Sequence, residues 1–384
     1  MRLEDALRGD GLAAVAEVKR RSPSAGDLRP DADPASLASD YERAGAAAVS
    51  ILVDGRFGGA WDDLRAARSA TRLPLLAKGF FSTEEHLRAA LEAGAEAALL
   101  ILRDLDDPTA RQLLGAATAL GLDALVEVHD RDELERAVRL DARLIGVNAR
   151  DLVTFHVDRA AQLELVTRAP GDKVIVAESG IESRAQGAAA ELAGADAILV
   201  GSALMRATDP GAKLAELLSR PLVKVCGLTR EDDVAVAAEA GADLAGFVLA
   251  EKSPRRAPEV LPVPETMLSV AVYVGEPGGD AADLVQLYAH EEGKVRGRDG
   301  ALLRDGQEVA RVLDLPWQAE DPNHLERARA VDGRVMLAGG LGPENVRAAI
   351  DAVHPWAVDA SSSLEHEPGV KDHARVRAYV EAAR

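Results

Sequence analysis

The chain of 384 residues contains a single cysteine, Cys226, so it can form no internal disulfide and no cysteine-rich metal site. A lone thiol suits a reducing compartment. Aromatic residues make up only 3% of the chain, so any core must be built from alanine, valine, leucine and isoleucine. No apolar run reaches the roughly 20 residues that span a bilayer, and Met1-Arg2-Leu3-Glu4-Asp5 lacks the apolar stretch of a secretory signal. The chain is therefore expected to be cytoplasmic. Positive charge is scarce too: 45 Lys and Arg face 64 Asp and Glu, for a net charge of −19. That field argues against nucleic acid or an anionic membrane as partner. Phosphorylated small molecules stay open, because helix amino termini and glycine loops bind phosphate locally. No histidine or carboxylate cluster has metal-ligand spacing, and no metal or organic cofactor is expected.

What is present is alternation. Short apolar runs recur at Ala13–Arg20, Ala48–Val53, Pro74–Phe80, Ala97–Leu102, Ala124–Val128, Leu144–Asn148, Val174–Ala177 and Ala197–Val200. Helical patterns separate them, such as Pro34–Ala44, Trp61–Ala70 and Thr83–Ala93, the last opened by the capping-box pattern Ser82-Thr83-Glu84-Glu85. Continuous apolar strands of this kind are parallel strands buried on both faces. Eight strand–helix repeats predict a (β/α)8 barrel over residues 1–219. Many of these strands end in polar residues: Glu17 and Lys19, Asp54, Lys78, Glu127, Asn148, and Glu178 with Ser179. The carboxyl-terminal strand edge is where such barrels place their chemistry. Any one of these residues taken alone reads as a rim ion pair; the set on one edge does not.

Lys213–Arg220 closes a helix, and Pro221 leads directly into Val223-Lys224-Val225-Cys226-Gly227-Leu228-Thr229 without a Gly/Ser linker. From there the alternation resumes, through Leu244–Leu249, Ser269–Val274, Leu284–Leu287, Ala301–Leu303, Val309–Leu313, Val335–Ala338 and Ala357–Val358. With the first strand these again make eight, a second barrel over residues 220–384. It is short of the roughly 200 residues usual for the fold. Little helical pattern separates Leu287 from Ala301, and only the Asp305-Gly306 turn separates Leu303 from Val309, so helices four and five are expected to be reduced or absent.

The motifs of the first half resemble indole-3-glycerol phosphate synthases across roughly residues 12–208. They are Ala16–Ser24, Val126-Glu127-Val128-His129, Ile145–Asn148 with Arg150-Asp151-Leu152, Glu178–Ile181 and Gly201–Arg206. The second half resembles phosphoribosylanthranilate isomerases. There the motifs are Lys224–Thr229, Gly246-Phe247 with Ser253-Pro254-Arg255, Leu284–Leu287, Leu337–Leu341 with Pro343-Glu344-Asn345, and Asp359 through Lys371-Asp372. The resemblance implies a bifunctional enzyme of tryptophan biosynthesis acting on phosphorylated anthranilate-derived small molecules, and a monomer is expected.

For the synthase half, the resemblance implies Lys78 as the general acid of ring closure. Lys19 binds substrate and serves as acid in the later dehydration, and Glu127 stabilises charge or takes a proton. Glu17 is the base partner of Lys19, while Asn148, Arg150, Glu178 and Ser179 orient the substrate. Phosphate falls to Ser22 and the amides of Gly180, Gly201 and Ser202. For the isomerase half it implies Cys226 as base and an aspartate ending strand six as acid, for which Asp314 is the best match. If Asp314 instead ends a fifth strand and the sixth is deleted, no acid is evident. Arg255 would bind the anthranilate carboxylate, and Gly339, Gly340, Ser361 and Ser362 the phosphate. The chain departs from the family patterns at Gly79, Ala149 and Ala60, at Tyr288-Ala289, at Leu315-Pro316-Trp317 and at Ser363, and it has almost no helix ahead of the first strand. Two rival readings remain: a monofunctional synthase whose second barrel is only structural, and a non-catalytic sugar-phosphate binder.

Overall fold

A computed structural model describes residues 2–9, 11–22, 26–151, 154–279, 281–291, 296–315 and 321–384. Pro23, Ser24, Leu152, Pro316 and Trp317, quoted above, lie outside them. The chain divides into two compact units, one of Met1–Glu182 with Gly187–Leu218 and one of Ser183–Gln186 with Ser219–Arg384.

In the first unit the barrel strands are β1 (Ala13–Val18), β2 (Ala48–Leu52), β3 (Leu75–Lys78), β4 (Ala97–Ile101), β5 (Asp123–Val128), β6 (Leu144–Asn148), β7 (Val174–Glu178) and β8 (Ala197–Val200). All pair in parallel, and β1 against β8 closes the barrel. Each apolar run predicted as a strand is one. The two-residue side-chain period sorts them into two sets. Ala14, Ala16 and Val18 of β1 pack outward with Leu37 and Tyr41 of the helix Pro34–Arg43. Val15 packs inward with Leu76, Leu99, Leu125, Leu144, Val174 and Leu199. Aspartates cap the helices that follow: Asp33, Asp106, Asp130 and Asp158 each accept from a first-turn amide. The expected capping box before Glu84–Glu92 does not form, since Thr83 makes no side-chain cap bond and the Ser82 amide donates to His86 Nδ1 at 3.2 Å.

A short helix, Leu3–Leu7, does precede β1. Its two leucines are fully buried among the first inward residues of the strands, including Val15, Ala48, Leu76 and Leu125. The helix thus plugs the amino-terminal end of the barrel. Asp123, at the start of β5, holds it by pairing with Arg2 and accepting from the Glu4 amide at 3.0 Å.

The second unit is also a closed eight-stranded barrel: β9 (Leu222–Cys226), β10 (Leu244–Val248), β11 (Leu268–Val274), β12 (Leu284–Tyr288), β13 (Gly300–Arg304), β14 (Gln307–Leu313), β15 (Val335–Leu337) and β16 (Ala357–Ala360). The barrel is compact with reduced helices, as expected, and one of its strands also departs from parallel pairing. β13 runs antiparallel to both β12 and β14. Arg304 pairs with Gln307, leaving the two-residue turn Asp305-Gly306, both residues at positive φ (49° and 78°). An Asp-Gly turn of this hand matches strand twist and makes a hairpin, so no crossover helix is possible. Among the described residues the unit's helices are Glu231–Ala240, His324–Arg329, Val346–Val353 and His373–Ala383. Among the described residues helices are absent not only around β13, as expected, but also between β11 and β12 and between β10 and β11. That segment carries Pro254, Pro258, Pro262 and Pro264, each of which removes a helix donor and clashes with the preceding turn.

Candidate active sites

The first site is built at the carboxyl-terminal strand edge by the inward set. Glu17 (β1), Lys78 (β3), Glu127 (β5), Asn148 (β6) and Glu178 (β7) stand on strands whose registers bring them to one level, with Asn148 directly beside Glu178. Lys78 Nζ lies 2.5 Å from Glu178 Oε2, 3.6 Å from Glu17 Oε2 and 3.7 Å from Glu127 Oε2. Lys19 Nζ pairs with Glu17 Oε1 at 2.8 Å. Two lysines and three carboxylates therefore form one buried network.

Glycines make room for it. A Cβ at Gly146 would fall 2.0 Å from Glu178 Oε1, and one at Gly201 would fall 2.4 Å from Glu17 Oε1. At Gly79 a Cβ would meet the Phe81 ring at 2.7 Å, and Phe81 stacks on Trp61. A side chain beside Lys78 therefore does not fit without moving that ring. Gln162 ties the ends of β6 and β7 together, its amide donating to the carbonyls of Val147 and Glu178.

The network separates the carboxylates electrostatically. Burial pushes Glu178 up and Glu127 repels its charge, so despite Lys78 its carboxyl stays above the ordinary range. Burial also pushes Glu127 up, but His129 and Lys78 outweigh it and hold Glu127 below that range. Glu17 behaves like Glu127: burial opposes ionisation, and Lys19 with Lys78 overcomes it. For Lys78 burial favours the neutral amine, yet the three carboxylates raise its pKa above that of an ordinary lysine. It is held as a cation. His129 was quoted within a motif but not singled out as a site residue. It sits between Glu127 Oε1 at 3.2 Å and Glu133 Oε2 at 3.0 Å, and these carboxylates raise its pKa to about 9 against the effect of burial.

The remaining residues of this half lie around the rim. Ser22 is buried in a two-stranded hairpin of Arg21–Ser22 with Gly26–Asp27. Ser179 and Gly180 both have positive φ (71° and 70°), which turns the chain sharply after β7. Gly201 and Ser202 open the short helix Ser202–Arg206 after β8. The Arg150 amide donates to Asn148 Oδ1 at 2.9 Å, and its guanidinium is held below its usual pKa by burial and by nearby Arg206.

In the second unit Cys226 ends β9, buried, with Lys224 two residues before it on the same inward face. Lys224 Nζ donates to Asp359 Oδ2 of β16 at 2.9 Å, and its charge acts on the thiol. A Cβ at Gly246 would lie 2.8 Å from both Cys226 Sγ and Lys224 Nζ. Burial pushes the thiol up while Lys224 opposes that rise. Ser361 Oγ is buried without a hydrogen-bond partner. Arg255 pairs through Nε with both oxygens of Glu365, which also holds Lys371 at 2.9 Å. Gly339 and Gly340 follow β15 at positive φ, and Ser362 opens a single 3-10 turn after β16.

Asp314 follows β14, which is the sixth strand, so the alternative that made it the end of a fifth strand falls. It is buried, accepting from Tyr288 OH at 2.6 Å and from Arg296 Nη2 at 2.7 Å. Gln286 donates to the same hydroxyl at 2.6 Å, and the Arg296 guanidinium lies 4.2 Å from the Tyr288 ring centre. Burial raises the Asp314 pKa to about 6, with Arg296 and Tyr288 pulling the other way. Cys226 ends β9 and Asp314 follows β14, so base and acid candidates stand at the carboxyl-terminal edge of one closed barrel. Neither Lys224 nor Asp359 was chosen as a site residue from sequence, although both stood in quoted motifs.

Comparison with known proteins agrees with this division. The family model of indole-3-glycerol phosphate synthase matches residues 1–217, and that of N-(5'phosphoribosyl)anthranilate (PRA) isomerase matches residues 318–382. Indole-3-glycerol phosphate synthase 1 of Streptomyces coelicolor is 45% identical over 215 residues, covering 56% of this chain and 80% of that protein. The synthase of Mycobacterium ulcerans is 44% identical, with 56% and 79% covered. Among solved structures, TrpF from Jonesia denitrificans is 29% identical with a TM-score of 0.34, covering 43% of this chain and 97% of that one. The phosphoribosyl anthranilate isomerase of Thermus thermophilus is 26% identical with a TM-score of 0.33, at 42% and 96%. The chain belongs to the indole-3-glycerol phosphate synthase family and continues into a phosphoribosylanthranilate isomerase domain, the pairing of a bifunctional enzyme of tryptophan biosynthesis.

Proposed function

We propose that the barrel of residues 220–384 performs the Amadori rearrangement of N-(5-phosphoribosyl)anthranilate, and that the barrel of residues 1–219 closes the product into indole-3-glycerol phosphate. The second step loses carbon dioxide and water. In the first barrel Lys78 is the general acid of ring closure. The observation that carries this reading is its ammonium, set among three buried carboxylates where a substrate carbonyl or hydroxyl would enter. Glu127, pinned as an anion by His129, stabilises the cationic intermediate. Lys19 with Glu17 serves the dehydration. Asn148, Arg150, Glu178 and Ser179 orient the substrate, and Ser22, Gly180, Gly201 and Ser202 hold the phosphate. In the second barrel Cys226 removes the proton from the second sugar carbon, and Asp314 protonates the ring oxygen as the aminoribose opens. Gly339, Gly340, Ser361 and Ser362 receive the phosphate, and Arg255 the carboxylate once it exchanges Glu365 for substrate. The enzyme works as a cytoplasmic monomer.

Each half-reaction assayed separately in the wild type, Lys78→Ala and Cys226→Ala tests the assignment. Lys78→Ala is expected to lose ring closure by about 10²-fold or more while keeping isomerisation, and Cys226→Ala the reverse. A wild type without isomerase turnover would mean that the second barrel is only structural. A wild type without either turnover would leave a sugar-phosphate binder.

A further inference from the structure

Among the buried charged side chains of the second barrel to which this reading gives no role, Lys224 stands beside the proposed base. Lys224 has no exposed surface, and a lysine so placed needs a fixed partner to stay charged. Asp359 supplies it at 2.9 Å through Oδ2, while its Oδ1 is buried and has no partner. The two-residue period of β9 puts Lys224 and Cys226 on one face. Gly246, on the adjacent strand, is the residue that lets Nζ and Sγ meet there, since a Cβ would strike both.

We propose that Lys224 is the positioning residue that makes Cys226 a base: anchored by Asp359, its ammonium hydrogen-bonds the sulfur and stabilises the thiolate. This rests on the reading of Cys226 as the proton acceptor. In the step itself the thiolate sulfur takes the proton from the second sugar carbon. The electron pair left behind forms the double bond between the first and second carbons as the C=N π pair of the opened iminium moves onto nitrogen, giving an enolamine, and Lys224 keeps its own proton throughout. The other charged groups facing the thiol are Asp359, which opposes ionisation, and Lys371, which favours it; Arg255 and Glu365 stand behind Lys371. Lys371 is drawn down by its burial, and Glu365 neutralises it directly. Lys224 is left as the cation that stands beside the sulfur, the two groups meeting over Gly246.

Because the chain has one cysteine, every thiol adduct reports on this site. The full-length protein is alkylated with iodoacetamide from pH 6 to 10 and adduct formation is followed by intact mass. Lys224→Met is expected to move the midpoint of the rate profile up by about one pH unit, making alkylation at neutral pH roughly ten-fold slower. Lys224→Arg restores most of the shift. An unchanged profile in Lys224→Met overturns the proposal. If that variant does not fold, as judged by circular dichroism, Lys224→Gln keeps the polar contact without the charge and is expected to show the same shift. Isomerase activity surviving in Cys226→Ala would remove the base assignment, while the alkylation profiles would still decide whether Lys224 tunes the thiol.

Discussion

Single side chains in this protein are defined by what neutralises them, and Asp314 is the clearest instance. Burial favours its neutral form, and Tyr288 and Arg296 favour the carboxylate. If Asp314 gives a proton and Cys226 takes one, the productive form has a protonated aspartate and a thiolate, the reverse of what each group prefers at neutral pH. The pH profile of isomerase kcat/KM should then be a bell. Its acidic break, near pH 6, marks ionisation of Asp314, and its alkaline break marks that of the thiol, which burial has raised. Tyr288→Phe removes a donor that stabilises the carboxylate, so the folded pKa of Asp314 rises. The acidic break should move to higher pH, and the rate at pH 7 should increase as the protonated fraction grows. A break that stays in place would show that another group titrates there. Lys78, Glu127 and Cys226 could be picked out from sequence because they end apolar runs. The partners that set their charge states, His129, Lys224, Asp359 and Tyr288, depend on which strands are neighbours, which no local pattern states.

Elements were legible where local chemistry and burial agree. Parallel strands covered on both faces must be continuously apolar, and an apolar run also marks the antiparallel β13. An apolar run does not state the direction of β13, although the Asp305-Gly306 turn between two such runs is the signal of a hairpin. The four prolines between β10 and β11 likewise forbade a helix that the repeat pattern suggested. The helix Leu3–Leu7 leaves almost no trace in the sequence for a different reason. Five residues are too few to show a period, and its place depends on two leucines entering the bottom of the barrel. Those contacts suggest a role in stability alone, at the end opposite the lysine network. Leu7→Ala should cost about 2–5 kcal/mol, read as a lower midpoint in thermal or denaturant unfolding. The synthase kcat should be unaltered. A fall in kcat with unchanged stability would place the helix in the catalytic cycle instead.

At the scale of the whole molecule, the arrangement is two self-sufficient networks, each closed within its own barrel. Lys78 is neutralised by Glu17, Glu127 and Glu178, all of the first barrel. Lys224 and Lys371 are neutralised by Asp359 and Glu365, both of the second. A charge change in one network therefore leaves the partners of the other in place. The net charge of −19 adds a general field, which ordinary salt screens beyond roughly 10 Å. If the isomerised intermediate is released to solvent, the two reactions can be supplied by different molecules. Lys78→Ala and Cys226→Ala, each blocked in one step, should together convert N-(5-phosphoribosyl)anthranilate to indole-3-glycerol phosphate, though neither does so alone. The rise in product fluorescence should lag, and the lag should shorten as the Cys226→Ala protein, which carries the working synthase, is increased. Should the mixture stay inactive while each half-reaction runs separately, the intermediate would not be exchanging between molecules, and the independence of the two sites would have to be given up.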